Sequence, residues 1–228
     1  MLRRFTRFWE QDRGLSILLV LLVLAILAGG TLSRPGPLGG KPLSILLTLT
    51  LGSGVLAVSR RRWAALAAGG VAAVAIGTEW AGRWSPAPAL EAAGALSAFA
   101  CVAILAGVVF HQVLRAGPIT VHRIVGSAAA YLLLGFAWAE LYRLLAAVVP
   151  GAIAASNGAA LDRSHFHYFS IVTLTTLGYG DITPVHPLGR SLAMLEALTG
   201  QLFPAILIAR LVSMELLARD SGRGRAPR

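Results

Sequence analysis

Thr173-Leu174-Thr175-Thr176-Leu177-Gly178-Tyr179-Gly180-Asp181 is a threonine-rich run, uncharged until its last residue, that closes on Gly-Tyr-Gly-Asp. Gly178 to Asp181 alone read as an ordinary turn after an apolar stretch. The context changes that reading, because the run lies between two long apolar segments near the end of a hydrophobic chain. Gly178 and Gly180 adopt left-handed dihedrals without the penalty a side chain imposes, so alternating handedness can aim successive carbonyls at one axis. Stacked carbonyl rings of that kind can replace the water around a dehydrated cation.

Outward from this run, hydrophobic residues make up 56% and charged residues 13% of the 228, with a mean hydropathy of +0.72. One soluble core cannot bury that much apolar surface, so the chain reads as an all-α integral membrane protein. A span needs about 20 predominantly apolar residues. Six transmembrane helices are expected, at Gly14–Leu32, Pro42–Ser59, Trp63–Gly82, Ala92–Phe110, Ile124–Val149 and Leu188–Leu216. Ser164–Thr175, between helices 5 and 6, is too short to cross and is expected as a re-entrant pore helix.

Basic residues orient these spans. Thirteen Arg fall on one side (Arg3, Arg4, Arg7, Arg13, Arg60, Arg61, Arg62, Arg115, Arg123, Arg219, Arg223, Arg225 and Arg228) against Arg34, Lys41, Arg83 and Arg163 on the other. Both termini are therefore expected in the cytoplasm, with the pore loop opening outward. The net charge of +10 reflects clusters flanking spans rather than a basic groove, so no nucleic-acid partner is expected. A cleaved-leader reading of the first apolar run would leave an odd number of spans and conflict with the charge asymmetry. Cys101, the single cysteine, sits inside an apolar span and has no intrachain disulfide partner.

The core Thr176-Leu177-Gly178-Tyr179-Gly180 resembles the selectivity filter of the potassium-channel superfamily. The flanking spans and loop, Val121 to Leu217, resemble the pore unit of that family. The resemblance implies a domain order of 1–116 (four helices), 117–220 (pore domain) and 221–228 (short basic tail). It also implies a homotetramer in the cytoplasmic membrane, since one chain supplies one quarter of a filter. Carbonyls of Thr176, Leu177, Gly178 and Tyr179, with the Thr176 hydroxyl, are then expected to line K⁺ sites, Gly180 to form the mouth and Thr175 to support them. K⁺ is the permeant ion the resemblance implies, and no cofactor or other metal is expected. The Tyr179 ring is expected to pack against the pore helix, and Tyr168 to supply the donor for Asp181, while Val172 stands where some bacterial members carry a glutamate. Gly200 falls at the position of the inner-helix hinge, with close packing of a small residue as the other reading. Pro204, one turn later, is expected to bend the same helix.

Ala92–Phe110 holds no basic residue, so steep voltage dependence is not expected. Glu140, Arg143, Arg190 and Glu196 are charges in apolar surroundings. Similar depths for Glu140 and Glu196, and the three-residue spacing of Glu140 and Arg143, lead to the expectation of one buried charge network behind the filter, with a cavity-facing Glu196 as the other reading. His165, His167 and His186 bracket the loop, and His165-x-His167 lacks the ligands a metal site needs. No nucleophile, phosphate loop or helical metal motif is present, so no enzyme is expected. The sequence thus points to passive K⁺ conduction. A weakly selective cation channel and a non-conducting scaffold with a vestigial filter are the alternatives.

Overall fold

A computed structural model describes residues 15–27, scattered positions between 69 and 81, 87–114 and 121–223. Helix α1 is Leu15–Leu27, α2 Pro88–Leu114, α3 Val121–Val148, α4 Arg163–Leu174 and α5 Pro187–Arg223. Strand β1, Ile153–Ala155, lies between α3 and α4, and β2, Ile182–Pro184, between α4 and α5. The expected spans Pro42–Ser59 and most of Trp63–Gly82 lie outside the described residues. So does the tail beyond Arg223, up to which α5 continues.

Three described helices are long and apolar enough to cross a membrane: Pro88–Val113 and Arg123–Val148, each 26 residues, and Pro187–Arg210, 24 residues. Each exceeds the ~20 residues that a bilayer core requires. The described part of the first expected span, Leu15–Leu27, is a shorter apolar helix. Apolar residues repeat every three or four positions on the packed faces: Leu18, Leu22 and Ala25 on α1, Ala98, Val102, Leu105, Val109 and Val113 on α2. They meet Ala129, Ala130, Leu133, Phe136 and Ala137 of α3. Small side chains at the seam let the backbones approach, as helix packing in lipid demands.

A second cluster, Tyr142, Ile153, Phe166, Phe169 and Ile182, joins α3, both strands and α4. The expectation of a purely helical chain needs one correction here. β1 and β2 pair antiparallel with Ile153 opposite Pro184 and Ala155 opposite Ile182, clamping the chain as it enters and leaves the loop. Val185 N and His186 N both donate to Ala152 O, at 2.9 and 3.1 Å. Pro184 has no amide hydrogen to give, which suits the end of an edge strand.

α5 is packed differently from its neighbours. Only 11% of its most apolar window is buried within the chain, against 56% for α3. Leu195, Leu198, Leu202 and Ile206 are all more than half exposed.

Candidate functional site: the pore loop and its supports

α4 starts on a capping box. Asp162 Oδ1 accepts from Ser164 N at 2.9 Å and His165 N at 3.2 Å, satisfying amides that a helix start leaves without partners. His165 Nδ1 lies 2.7 Å from Asp162 Oδ1 and 3.2 Å from Asp162 N; its tautomer decides whether it donates to the first or accepts from the second. Partial burial raises the Asp162 carboxyl, but the hydrogen bonds from Ser164 and His165 outweigh it and hold the group below the usual range.

The other end of α4 delivers the loop. Thr176 N donates to Thr173 O at 2.9 Å, and Leu177 N and Gly178 N to Val172 O at 2.9 and 3.3 Å. Tyr131 Oη donates to Leu174 O at 3.3 Å. The last carbonyls of α4 are therefore occupied, and the loop amides point back at the helix. Positive φ recurs at every second residue: 59° at Thr176, 57° at Gly178 and 80° at Gly180. Among the described residues no hydrogen bond falls on the carbonyls of Thr176 to Gly180. Alternating handedness with amides turned inward leaves a row of oxygens free to meet an ion.

Nothing in the sequence marks Thr176 for this conformation, since a left-handed dihedral costs a non-glycine residue roughly 1–2 kcal/mol. Gln201 helps to hold it, donating from Nε2 to Thr176 Oγ1 at 3.0 Å. The only signal for Gln201 in the sequence is a polar side chain next to Gly200 in an otherwise apolar stretch. Tyr168 interacts through its hydroxyl with the Asp181 carboxylate. The Tyr179 ring is 67% exposed in the single chain.

The expected charge network divides in two. Glu140 is buried in α3 and accepts from Arg163 Nη2 at 2.6 Å and Nε at 3.0 Å, both at Oε1. Arg143 Nη1 sits 3.2 Å from Oε2 as an ion pair, off the hydrogen-bond angle. His167 Nε2 is 3.5 Å from Oε1, with its ring on Phe136 at 4.8 Å between centroids. Glu196 belongs elsewhere. It accepts from Tyr142 Oη at 2.6 Å and contacts Ser170 Oγ at 2.5 Å. Arg190 joins neither group and donates from Nε to Pro184 O at 3.3 Å. Similar depth along two helices grouped these charges, but the helix faces on which they stand separate them. Arg163, counted as a topology charge, instead reaches back to Glu140.

Gly200 is a contact point. A Cβ there would lie 1.9 Å from Leu174 O and 2.8 Å from Leu174 C, so the close-packing reading accounts for the glycine. α5 runs through Gly200 and Pro204 as one helix.

The 12-residue α4 and a loop of alternating handedness thus lie between two helices long and apolar enough to span a membrane. Residues 128–215 match the family model described as "Ion channel". Protein LctB of Bacillus caldotenax is 37% identical over 86 residues, covering 36% of this chain and 62% of the relative. Protein LctB of Geobacillus stearothermophilus is 49% identical over 45 residues, 20% and 33% of the two chains. Two pore potassium channel c of Oryza sativa subsp. japonica is 40% identical over 70 residues, 31% and 15%. The chain spans less than two thirds of each of these relatives, and no solved structure matches it. The chain is a membrane protein with an ion-channel domain at residues 128–215 that is similar to part of a two pore potassium channel.

Proposed function

We propose that the chain assembles as a homotetramer in the cytoplasmic membrane, both termini cytoplasmic, and conducts K⁺ selectively and passively. The observation that carries this reading is the alternation of positive φ at Thr176, Gly178 and Gly180, which aims unoccupied carbonyls in one direction. Four copies around an axis turn that row into stacked oxygen cages, with the Thr176 hydroxyl at one end. α4 points its C-terminal, negative end toward the same place and favours a cation there.

Assembly is supported by what one chain leaves uncovered. The Tyr179 ring and the apolar face of α5 are exposed in a single copy. A neighbouring copy would cover them, and the filter needs that neighbour to close. α2 carries only Glu91 and His111 as acidic or basic side chains, so it supplies no gating charge for steep voltage dependence.

Rubidium-86 uptake into liposomes holding the purified full chain tests the reading. Uptake is expected to be blocked by barium and to resist competition by sodium. Equal passage of sodium and potassium would reduce the function to weakly selective cation conduction. Protein that runs as a monomer in mild detergent and passes neither ion would overturn it.

A further inference from the structure

Behind the pore loop, Ser170 Oγ takes part in more hydrogen bonds than its own hydrogen can serve. It lies 2.7 Å from Gly135 O and 2.5 Å from Glu196 Oε1. A serine hydroxyl donates once. Gly135 O can only accept, and an ionised carboxylate can only accept. With Glu196 ionised, one contact would set two lone-pair oxygens against each other at hydrogen-bond distance. No surface water relieves it, since Ser170 and Glu196 are both 0% exposed. Oε2 does not help, because it already takes the Tyr142 hydrogen at 2.6 Å.

One added hydrogen settles the count. A carboxylic acid at Glu196 donates from Oε1 to Ser170 Oγ, Ser170 donates to Gly135 O, and Tyr142 donates to Oε2. Each contact then holds one hydrogen, and α3, α4 and α5 are joined through three neutral groups.

Among the described residues the surroundings offer no cation in exchange. From α3, Glu196 meets Tyr142 and, at longer range, Tyr131; from α4 it meets Ser170. On its own helix, Arg190 is turned to Pro184 O. Arg143 and Arg163 are engaged by Glu140. A lone buried carboxylate is costly, and a neutral acid with every hydrogen placed is not.

We propose that Glu196 is a positioning residue that acts as a neutral acid, holding α4 between α3 and α5 so that the pore loop keeps its conducting shape. Removal of its proton at alkaline pH strands a charge in this layer, loosens α4 and lowers flux. The site is well placed for this. Ser170 precedes Thr176 by six residues, and one turn beyond Glu196 the Gly200 backbone touches Leu174.

Only the flux arm of the test rests on the conduction reading. Infrared spectra of the full chain in bilayers are expected to show the carbonyl band of a neutral carboxylic acid at pH 7. That band should vanish as pH rises and be missing in Glu196→Gln. In the rubidium assay, Glu196→Gln should keep the neutral-pH flux, because its amide donates to Ser170 and accepts from Tyr142. It should also lose the alkaline fall seen in the wild type. Glu196→Ala should lose about tenfold, the scale of one buried partner removed. A wild-type spectrum without the acid band at pH 7, or a Gln variant with the wild-type alkaline fall, overturns the proposal. If Glu196→Gln does not assemble, the wild-type band followed against pH still decides whether the proton is there. A band that titrates in protein passing no rubidium at any pH overturns the conduction reading and leaves the neutral acid standing.

Discussion

The bundle of α1, α2 and α3 and the layer behind the pore loop share helix α3, yet they hold together by different physics. In the bundle, the clustered buried side chains are aliphatic, Ala or Cys, with Phe136 the exception, and the buried Ser127 donates to Ile124 O of its own helix. Lipid is as apolar as these side chains, so only close packing favours the contact. In the loop layer, Glu140, Arg143, Ser164, His167, Ser170 and Glu196 are all buried, and Glu140, Ser170 and Glu196 form directional contacts across elements. Dispersion tolerates a shift of some tenths of an ångström, whereas a hydrogen bond weakens quickly with angle and length. A bundle needs adhesion; a carbonyl row that matches an ion, as proposed for this loop, needs position.

The largest effect that separates the two regions is expected at Gly200. Gly200→Ala places a carbon 1.9 Å from Leu174 O, where backbone rather than a flexible side chain must yield. Overpacking of that kind costs roughly 3 kcal/mol or more, and the expected outcome is little or no assembled oligomer on size exclusion in detergent. A variant that assembles and melts like the wild type would show that α4 and α5 are not locked together there. Next comes a matched pair. Glu140→Ala strands Arg143 and Arg163 and should cost about 3–5 kcal/mol. Leu105→Ala in the bundle should cost ~2 kcal/mol or less, because the transfer out of water that dominates in soluble cores is absent. Thermal melts in one detergent compare them, and equal shifts would collapse the contrast.

The bundle's helices and the pore loop were legible in the sequence to different depths. Apolar length located α2, α3 and α5, since that signal is local and strong. Gly178 and Gly180 announced their dihedrals, but Thr176 at φ 59° did not, because nothing in a threonine marks a left-handed turn. Three-residue strands are too short to show alternation, so β1 and β2 left no trace. The charges were visible as anomalies, but their pairing was not. Arg163 reaches Glu140 across 23 positions of chain, and only the fold brings them together. Glu196 could be flagged as buried from its apolar neighbours, whereas its Tyr142 and Ser170 partners depend on which helix faces turn inward.

The smallest effect tests whether the loop layer's demand for position extends to the start of α4. Asp162 caps that helix from a half-exposed site, so its ion-pair component with His165 is screened by water. Asp162→Ala should cost about 1 kcal/mol, the usual value for a lost N-cap. The acid dependence has a definite sign. Because hydrogen bonds from Ser164 and His165 hold the folded carboxyl below its ordinary range, its contribution is complete above the unfolded value of about 3.9. It is lost as pH falls through the lowered folded value. The Asp162 contribution to melting temperature should thus stay constant from neutral pH down to about 4 and shrink below it. In Asp162→Ala that part of the acid drop should disappear. In Asp162→Asn, which caps through a neutral oxygen, most of the neutral-pH stability should return while the acid drop stays absent. An acid drop of wild-type size in Asp162→Asn would place the sensitivity on another carboxyl and leave the α4 cap as an ordinary helix start.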